Sequence, residues 1–312
     1  MTKLFSENLG VVSNNKQLTI LKKKFSFYHP TYVAIATMTT QPEFRNWLES
    51  IWKQYELYAD SNFPNEFKKQ FNQRSWELHI GATLLNRGYS LGEHKDAGPD
   101  FKILYNNRAI WVEAVAVEKG DGKDKVPEIE YGKAMEVPEK EMLLRLTAGL
   151  EEKYRKYLSY LKNSYVNPRD PFIIAIDRSP LEHMDAQIPL ILKCLFAIGH
   201  QVLFLKRTTP QPNAEGSTWS SRDKLNKASG SEVGMLMFRD SSYEGISAVI
   251  YCTRGILSSP RELNQLGSNF VIVHNPHAKN PLPDNYFSFG EEWKQVGDQL
   301  RRITKSSEST NP

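Results

Sequence analysis

The stretch from Gly98 to Lys119, Gly-Pro-Asp-Phe-Lys-Ile-Leu-Tyr-Asn-Asn-Arg-Ala-Ile-Trp-Val-Glu-Ala-Val-Ala-Val-Glu-Lys, decides the fold. Phe101, Ile103 and Tyr105 alternate with Asp100, Lys102 and Leu104, the period of a half-buried strand. Asn106-Asn107 is a turn pair whose side chains tolerate positive φ, as a two-residue hairpin loop requires. Ile110 to Val117 is an apolar run broken by one charge, Glu113. With Asn106 and Asn107 as the loop, Tyr105 pairs with Arg108 and Asp100 falls opposite Glu113. Cross-strand partners share a face at about 4.5–5.5 Å between Cβ atoms. At an effective dielectric of about 20, two carboxylates that close repel by roughly 3–4 kcal/mol. Either one takes up a proton or a divalent cation sits between them, and the cation is the expectation. The plainer alternative has Asp100 capping the strand start and Glu113 paired with Lys102 or Arg108.

Pro99-Asp100, a twelve-residue spacer and Glu113-Ala114-Val115 together resemble the PD-(D/E)xK nuclease superfamily, whose core includes restriction endonucleases. The resemblance extends upstream to Glu77 in Trp76-Glu77-Leu78-His79, because a glutamate on the helix before the first core strand often completes the metal site in that superfamily. More loosely, Gly98-Pro99-Asp100-Phe101, Trp111 to Ala116 and Val273-His274-Asn275-Pro276 are similar to uncharacterised bacterial restriction-endonuclease-like proteins. One departure stands out: the position two after Glu113, where the family places its lysine, is Val115. Lys102 shares the acidic face by strand alternation and is ranked first to fill the vacancy. Lys153 from a downstream helix and Lys119 at the strand end are the other candidates.

Over the 312 residues, 40% hydrophobic and 24% charged content are those of a soluble globular protein large enough to bury a full core. No apolar run reaches the ~18 residues that would span a bilayer, and the N-terminus lacks a secretory apolar segment. The two cysteines, Cys194 and Cys252, lie in apolar segments without metal-ligand spacing. A cytoplasmic protein is expected, with no membrane partner. The net charge of +4 permits a phosphate partner without demanding one.

Residues 1–40 hold Leu18–Leu21 and Tyr32–Ala36, expected as short strands or extended arms. From Gln41, Phe44, Trp47, Leu48, Ile51, Trp52, Tyr55 and Tyr58 mark an amphipathic helix. A second runs from about Glu66 to Asn86 and carries Glu77, whose alternative role is a surface ion pair with Arg74 or Arg87. Tyr89–Leu91 is expected as an edge strand. Gly120 to Pro138 is a long loop expected to hang over the site. A helix from about Glu139 to Asn163 follows, with Arg145, Lys153 and Lys156 giving it a basic side. Lys153 and Tyr157 are singled out because some branches of the superfamily place a polar residue and a tyrosine four apart here.

Phe172 to Ile176 suits a central strand parallel to its neighbour after a helical crossover. A helix at about 186–198 and a strand at Gln201–Leu205 come next. Arg207–Gly230 is expected as a mobile basic loop, and Met235–Phe238, Ile246–Tyr251 and Phe270–Val273 as strands. Glu291–Ile303 is expected as a final helix before a polar tail. His274 and His277 are taken as ordinary loop histidines. No internal repeat, Gly-rich phosphate loop or Gly-x-Ser-x-Gly elbow appears.

The expectation is an α/β fold with a mixed central sheet flanked by helices. A restriction-endonuclease-like core occupies residues 66–180, after an arm and helix at 1–65. An α/β extension of the same sheet or a second subdomain follows at 181–303, with a disordered tail at 304–312. The resemblance implies a metal-dependent nuclease that hydrolyses DNA. Asp100, Glu113 and Glu77 would hold Mg²⁺ or Mn²⁺, Lys102 would act with Asp100 and Glu113, and Lys153, Lys156 and Arg145 would hold the nucleic acid. A homodimer is compatible with this. The rival is a nuclease fold that has lost cleavage and serves as a nucleic-acid or protein interaction module; a hydrolase of non-nucleic phosphoesters is a weaker third.

Overall fold

The computed structural model describes residues 2–93, 97–185, 187–205, 214–235 and 237–303. The helices are α1 (Asn15–Lys24), α2 (Pro30–Thr37), α3 (Pro42–Tyr55), α4 (Phe63–Lys69), α5 (Phe71–Asn86), α6 (Glu139–Lys162) and α7 (Leu190–Phe196). The strands are β1 (Phe101–Tyr105), β2 (Arg108–Ala116), β3 (Phe172–Asp177), β4 (Ile198–Leu205), β5 (Ala214–Ser221), β6 (Lys224–Asn226), β7 (Glu232–Gly234), β8 (Ala248–Cys252), β9 (Phe270–His274), β10 (Glu291–Val296) and β11 (Gln299–Ile303).

One seven-stranded sheet in the order β1-β2-β3-β8-β9-β10-β11 organises the chain. Its hairpin β1–β2 has the register expected from the Asn-Asn turn, from Tyr105 opposite Arg108 to Phe101 opposite Val112. Asn106 and Asn107 both take positive φ, at 47° and 61°. β3 lies parallel to β2, and β8 parallel to β3. The return from β2 to β3 runs through α6, the crossover that a parallel pair demands. The mixed α/β sheet with helical flanks is as expected, and the C-terminal strands extend that sheet.

Two apolar layers cover the sheet. On one face Phe101, Ile103, Val112, Ala114, Ile173 and Ala175 pack beneath α3 and α5, with Trp52, Phe67 and Trp76 filling the space. On the other, Val115, Val117, Ile174 and Ile176 pack beneath α6 and α7. Trp76 in α5 also donates its indole N–H to the Ala175 carbonyl of β3 at 3.0 Å. Gly81 lets α3 approach α5, since a Cβ there would lie 2.4 Å from the Tyr55 ring.

Several segments differ from their sequence expectation. The two N-terminal segments expected to be extended are helices. Asn14 caps α1 through Gln17 N–H, and the His29 imidazole caps α2 through Thr31 N–H with Pro30 opening the first turn. The expected helix at 66–86 breaks at Gln70 into α4 and α5. Tyr89–Leu91 contributes only a bridge from Leu91 to Ile103.

The final helix is instead the antiparallel hairpin β10–β11, where Val296 pairs with Gln299 across a two-residue Gly297-Asp298 turn. Gly297 has φ 59°, the left-handed geometry such turns require. Met235, Met237 and Phe238 are buried in a turn rather than a strand. The expected loop at 207–230 contains β5 and β6, while Arg207 and the tail 304–312 lie outside the described residues. The helix at 186–198 is shortened to α7 and ends at Ala197, with φ 55°.

Candidate functional site

Asp100 sits one residue before β1, where the ladder runs out. Its Oδ2 accepts the Ala114 amide of β2 at 2.6 Å, so the carboxylate takes the place a strand carbonyl would fill. The capping alternative for Asp100 is therefore what its hydrogen bond shows. This position puts it beside Ala114 of β2, beyond the last pair of the hairpin. Asp100 is pushed well above the usual carboxylate range by burial first, then by the charges of Glu113 and Glu77, against the Ala114 amide and Lys153. Asp100 thus feels both neighbouring carboxylates.

Glu113 lies on the α6 face and is fully buried. Its Oε1 accepts Lys153 Nζ at 3.0 Å and Lys156 Nζ at 2.7 Å, and its Oε2 accepts the Tyr160 hydroxyl at 3.0 Å. All three donors come from one face of α6, at three- and four-residue spacing. Burial lowers the Lys156 ammonium, but Glu113 more than offsets it, so the net shift is upward. Burial and then Glu113 raise Tyr160. Lys153 is buried, whereas the Lys156 side chain is 48% exposed.

Glu77 approaches from the opposite layer. It is buried on α5, where Arg74 Nη1 reaches Oε2 at 2.6 Å and Gln73 Nε2 reaches Oε1 at 2.9 Å. Arg74 also pairs with Asp60 at 2.9 Å and with Glu66. Gln73 stitches α5 to β2, accepting Ala116 N–H at 2.9 Å and donating to the Ala114 carbonyl at 3.2 Å. Burial raises Glu77 above the ordinary range despite Arg74 and Gln73. The pairing with Arg74 is the alternative weighed from the sequence, but it is internal rather than at the surface.

The lysine candidates separate clearly. Of the three, Lys153 is the one in contact with Glu113, as a buried ion-pair partner. Lys102 shares the expected face, but its Nζ stands 5.6 Å from the Trp111 ring centroid. Lys119 bonds Glu128 and Glu182. Arg145 donates to the Glu118 carbonyl at 2.8 Å, away from Asp100. Tyr157 packs on Phe172 at 4.5 Å, and Tyr160 is the tyrosine that reaches Glu113. A polar i, i+3, i+7 row inside the apolar stripe of α6 is the signal that would have found it.

Asp100 lines a cleft of about 230 Å³ together with Lys102, Trp111, Ser164 and Tyr165. The last four also line an adjoining groove of about 1160 Å³ that continues past Arg108 and Arg169. The loop 120–138 does not border this cleft. Its Pro127 carbonyl instead meets His183 Nε2 at 2.9 Å, and Val126 is buried in the α6 layer. His274 contacts Glu292 at 3.1 Å, and the His277 amide donates to Asn275. Cys194 and Cys252 are buried free thiols, as expected. Among the described residues no group of three His, Cys, Asp or Glu side chains converges tightly enough to enclose an ion, and no helix is long and apolar enough to cross a membrane. No family model, curated protein or solved structure matches the chain.

Proposed function

We propose that this chain is a metal-dependent nuclease that hydrolyses DNA phosphodiester bonds at Asp100 and Glu113. The observation that carries the reading is Asp100, which feels the charges of Glu113 and Lys153 and lines a cleft that adjoins a groove bearing Lys102, Arg108 and Arg169. The order α5, β1–β2 hairpin, crossover α6 and parallel β3 is compatible with a restriction-endonuclease-like core, and the proposal takes residues 66–180 as that unit.

A magnesium or manganese ion fits the donor set in a limited way. Among the described residues only the Ala114 amide donates to Asp100, and burial followed by neighbouring negative charge raises its proton affinity. Magnesium keeps several waters and takes one or two carboxylates, so Asp100 and Glu113 suffice. The half-exposed Lys156 would have to swing away from Glu113 to make room. Glu77, held by Arg74 and Gln73, is left outside the set. When bound, the ion supplies Lewis acidity toward a phosphoryl oxygen.

The chain's own residues account for the rest of the chemistry. Lys153 holds positive charge at the carboxylate edge where phosphate charge would develop, which is the role the family gives to the residue at Val115. Lys102, over Trp111, is free of carboxylate partners among the described residues and is available to phosphate.

Digestion of plasmid and oligonucleotide DNA in Mg²⁺ or Mn²⁺ tests the reading. Wild type should cleave, Asp100→Asn should lose cleavage, and Lys153→Met should lose about a hundredfold or more, the usual size of a lost transition-state contact. Undiminished cleavage in Lys153→Met with loss in Lys102→Met would return the role to Lys102. No cleavage by wild type would favour the interaction module, which the closure of Glu113 by three donors also suits.

A further inference from the structure

We infer that the groove beside Asp100 is a track for an unpaired nucleic-acid strand, with Tyr165 as a base-stacking platform and Lys102, Arg108 and Arg169 as its phosphate contacts. The inference rests on the nuclease reading for its substrate class and goes beyond it in naming single-stranded nucleic acid as the form recognised.

The groove is too large and open for a small-molecule pocket. Its volume of about 1160 Å³ exceeds the usual range for such sites, and it is continuous with the Asp100 cleft through Lys102, Trp111, Ser164 and Tyr165. Lys102, Arg108 and Arg169 face one lining carboxylate, Asp170, so the wall carries excess positive charge. Asp170 is itself engaged, accepting the Trp111 indole N–H at 3.1 Å with Arg108 3.8 Å away. That bond fixes Trp111 in the wall, and Trp111 in turn carries the Lys102 ammonium over its ring. The Lys102 charge is thereby held by an aromatic face rather than neutralised by an acid.

Tyr165 is the exposed ring. It stands 45% open to solvent just beyond the C-terminus of α6. Its backbone is anchored by a 3.0 Å bond from Tyr165 N–H to the Tyr160 carbonyl, and the two rings meet edge-on at 6.4 Å. Tyr160 also donates its hydroxyl to Glu113, so the platform is tied to that carboxylate through one side chain. A base can lie on such a ring only where the strand is unpaired, because in a duplex its faces are covered by neighbouring bases. Aromatic rings alternating with cations along a groove are the arrangement that binds single strands without sequence preference.

The test is fluorescence-anisotropy titration of a labelled 15-nucleotide oligothymidylate and of a duplex of equal length, both in EDTA so that cleavage plays no part. The single strand should bind more tightly than the duplex. Tyr165→Ala should weaken strand binding about tenfold, as loss of one stacked base does, and leave duplex binding unchanged. Tyr165→Phe, which keeps the ring, should stay within about twofold of wild type and controls for folding. Lys102→Ala should lower the salt dependence of strand binding by about 0.7 in log–log slope, one phosphate contact. Equal affinity for strand and duplex, or an unaltered Tyr165→Ala, would overturn the inference. Strand binding in EDTA without Mg²⁺-dependent cleavage would support the track and contradict the nuclease reading. Cleavage of duplex with no Tyr165 dependence would do the reverse.

Discussion

Two buried carboxylates, Glu77 on α5 and Glu113 on β2, are neutralised in different ways. Glu77 on the α5 side depends on one guanidinium that is shared with Asp60 and Glu66, so its surroundings stay acidic. Glu113 on the α6 side faces two ammonium groups and a phenol, so its surroundings are basic. Asp100, one residue before β1, is repelled by both acids. The difference is one of partners: the α5 side is held by a guanidinium shared among three acids, while the α6 side gathers two ammonium groups on one carboxylate, one of them half-exposed.

Removing each clamp should expose the contrast most strongly. Arg74→Met strands Glu77 in a buried acidic pocket and should destabilise by about 3–5 kcal/mol, the usual result of breaking a buried pair. Glu113→Gln should cost less, about 1–3 kcal/mol. Its amide oxygen still accepts hydrogen bonds, Asp100 remains as a counter-charge for Lys153, and Lys156 can turn to water. Urea denaturation of both variants checks this order. Equal or reversed losses would mean that the two faces are not distinct.

The pH dependence of stability sharpens the position of Asp100. Its folded-state pKa is raised, so the native chain holds that proton more tightly than the unfolded chain does. This stabilisation is present at low pH and is lost as pH climbs from about 4, the ordinary carboxylate value, through the raised folded value. Glu77, raised by burial, contributes with the same sign. Asp100→Asn keeps an acceptor for the Ala114 amide and removes the charge. It should melt above wild type at neutral pH and lose less stability between acid and neutral pH. Melting curves across that range would show it; a variant less stable than wild type at neutral pH would mean that the Asp100 charge is welcome where it sits.

The sequence carried the local half of this arrangement. The Asn106-Asn107 turn sets the hairpin register from Tyr105–Arg108 to Phe101–Val112, because a two-residue loop leaves no freedom in the pairing; Asp100 lies one residue beyond the ladder and bonds the Ala114 amide. The apolar run Phe172–Ile176 and the long stripe of α6 were equally readable. The partners of Glu113 were not, since contacts across about forty residues depend on how α6 rotates over the sheet. Lys102 ranked first because strand alternation fixed its direction, whereas Lys153 needed the helix in place. The failures at 1–40 and 291–303 have local causes. The His29 imidazole cap is an unusual helix start, and Gly297-Asp298 was a hairpin signal inside a stretch whose charges also suited a helix.

Calorimetric titration of Mn²⁺ into wild type, Asp100→Asn and Lys156→Met tests the central claim most directly. The account predicts binding to wild type, no binding to Asp100→Asn, and tighter binding to Lys156→Met because the competing ammonium is gone from Glu113. Equal Mn²⁺ affinity in wild type and Asp100→Asn would contradict it.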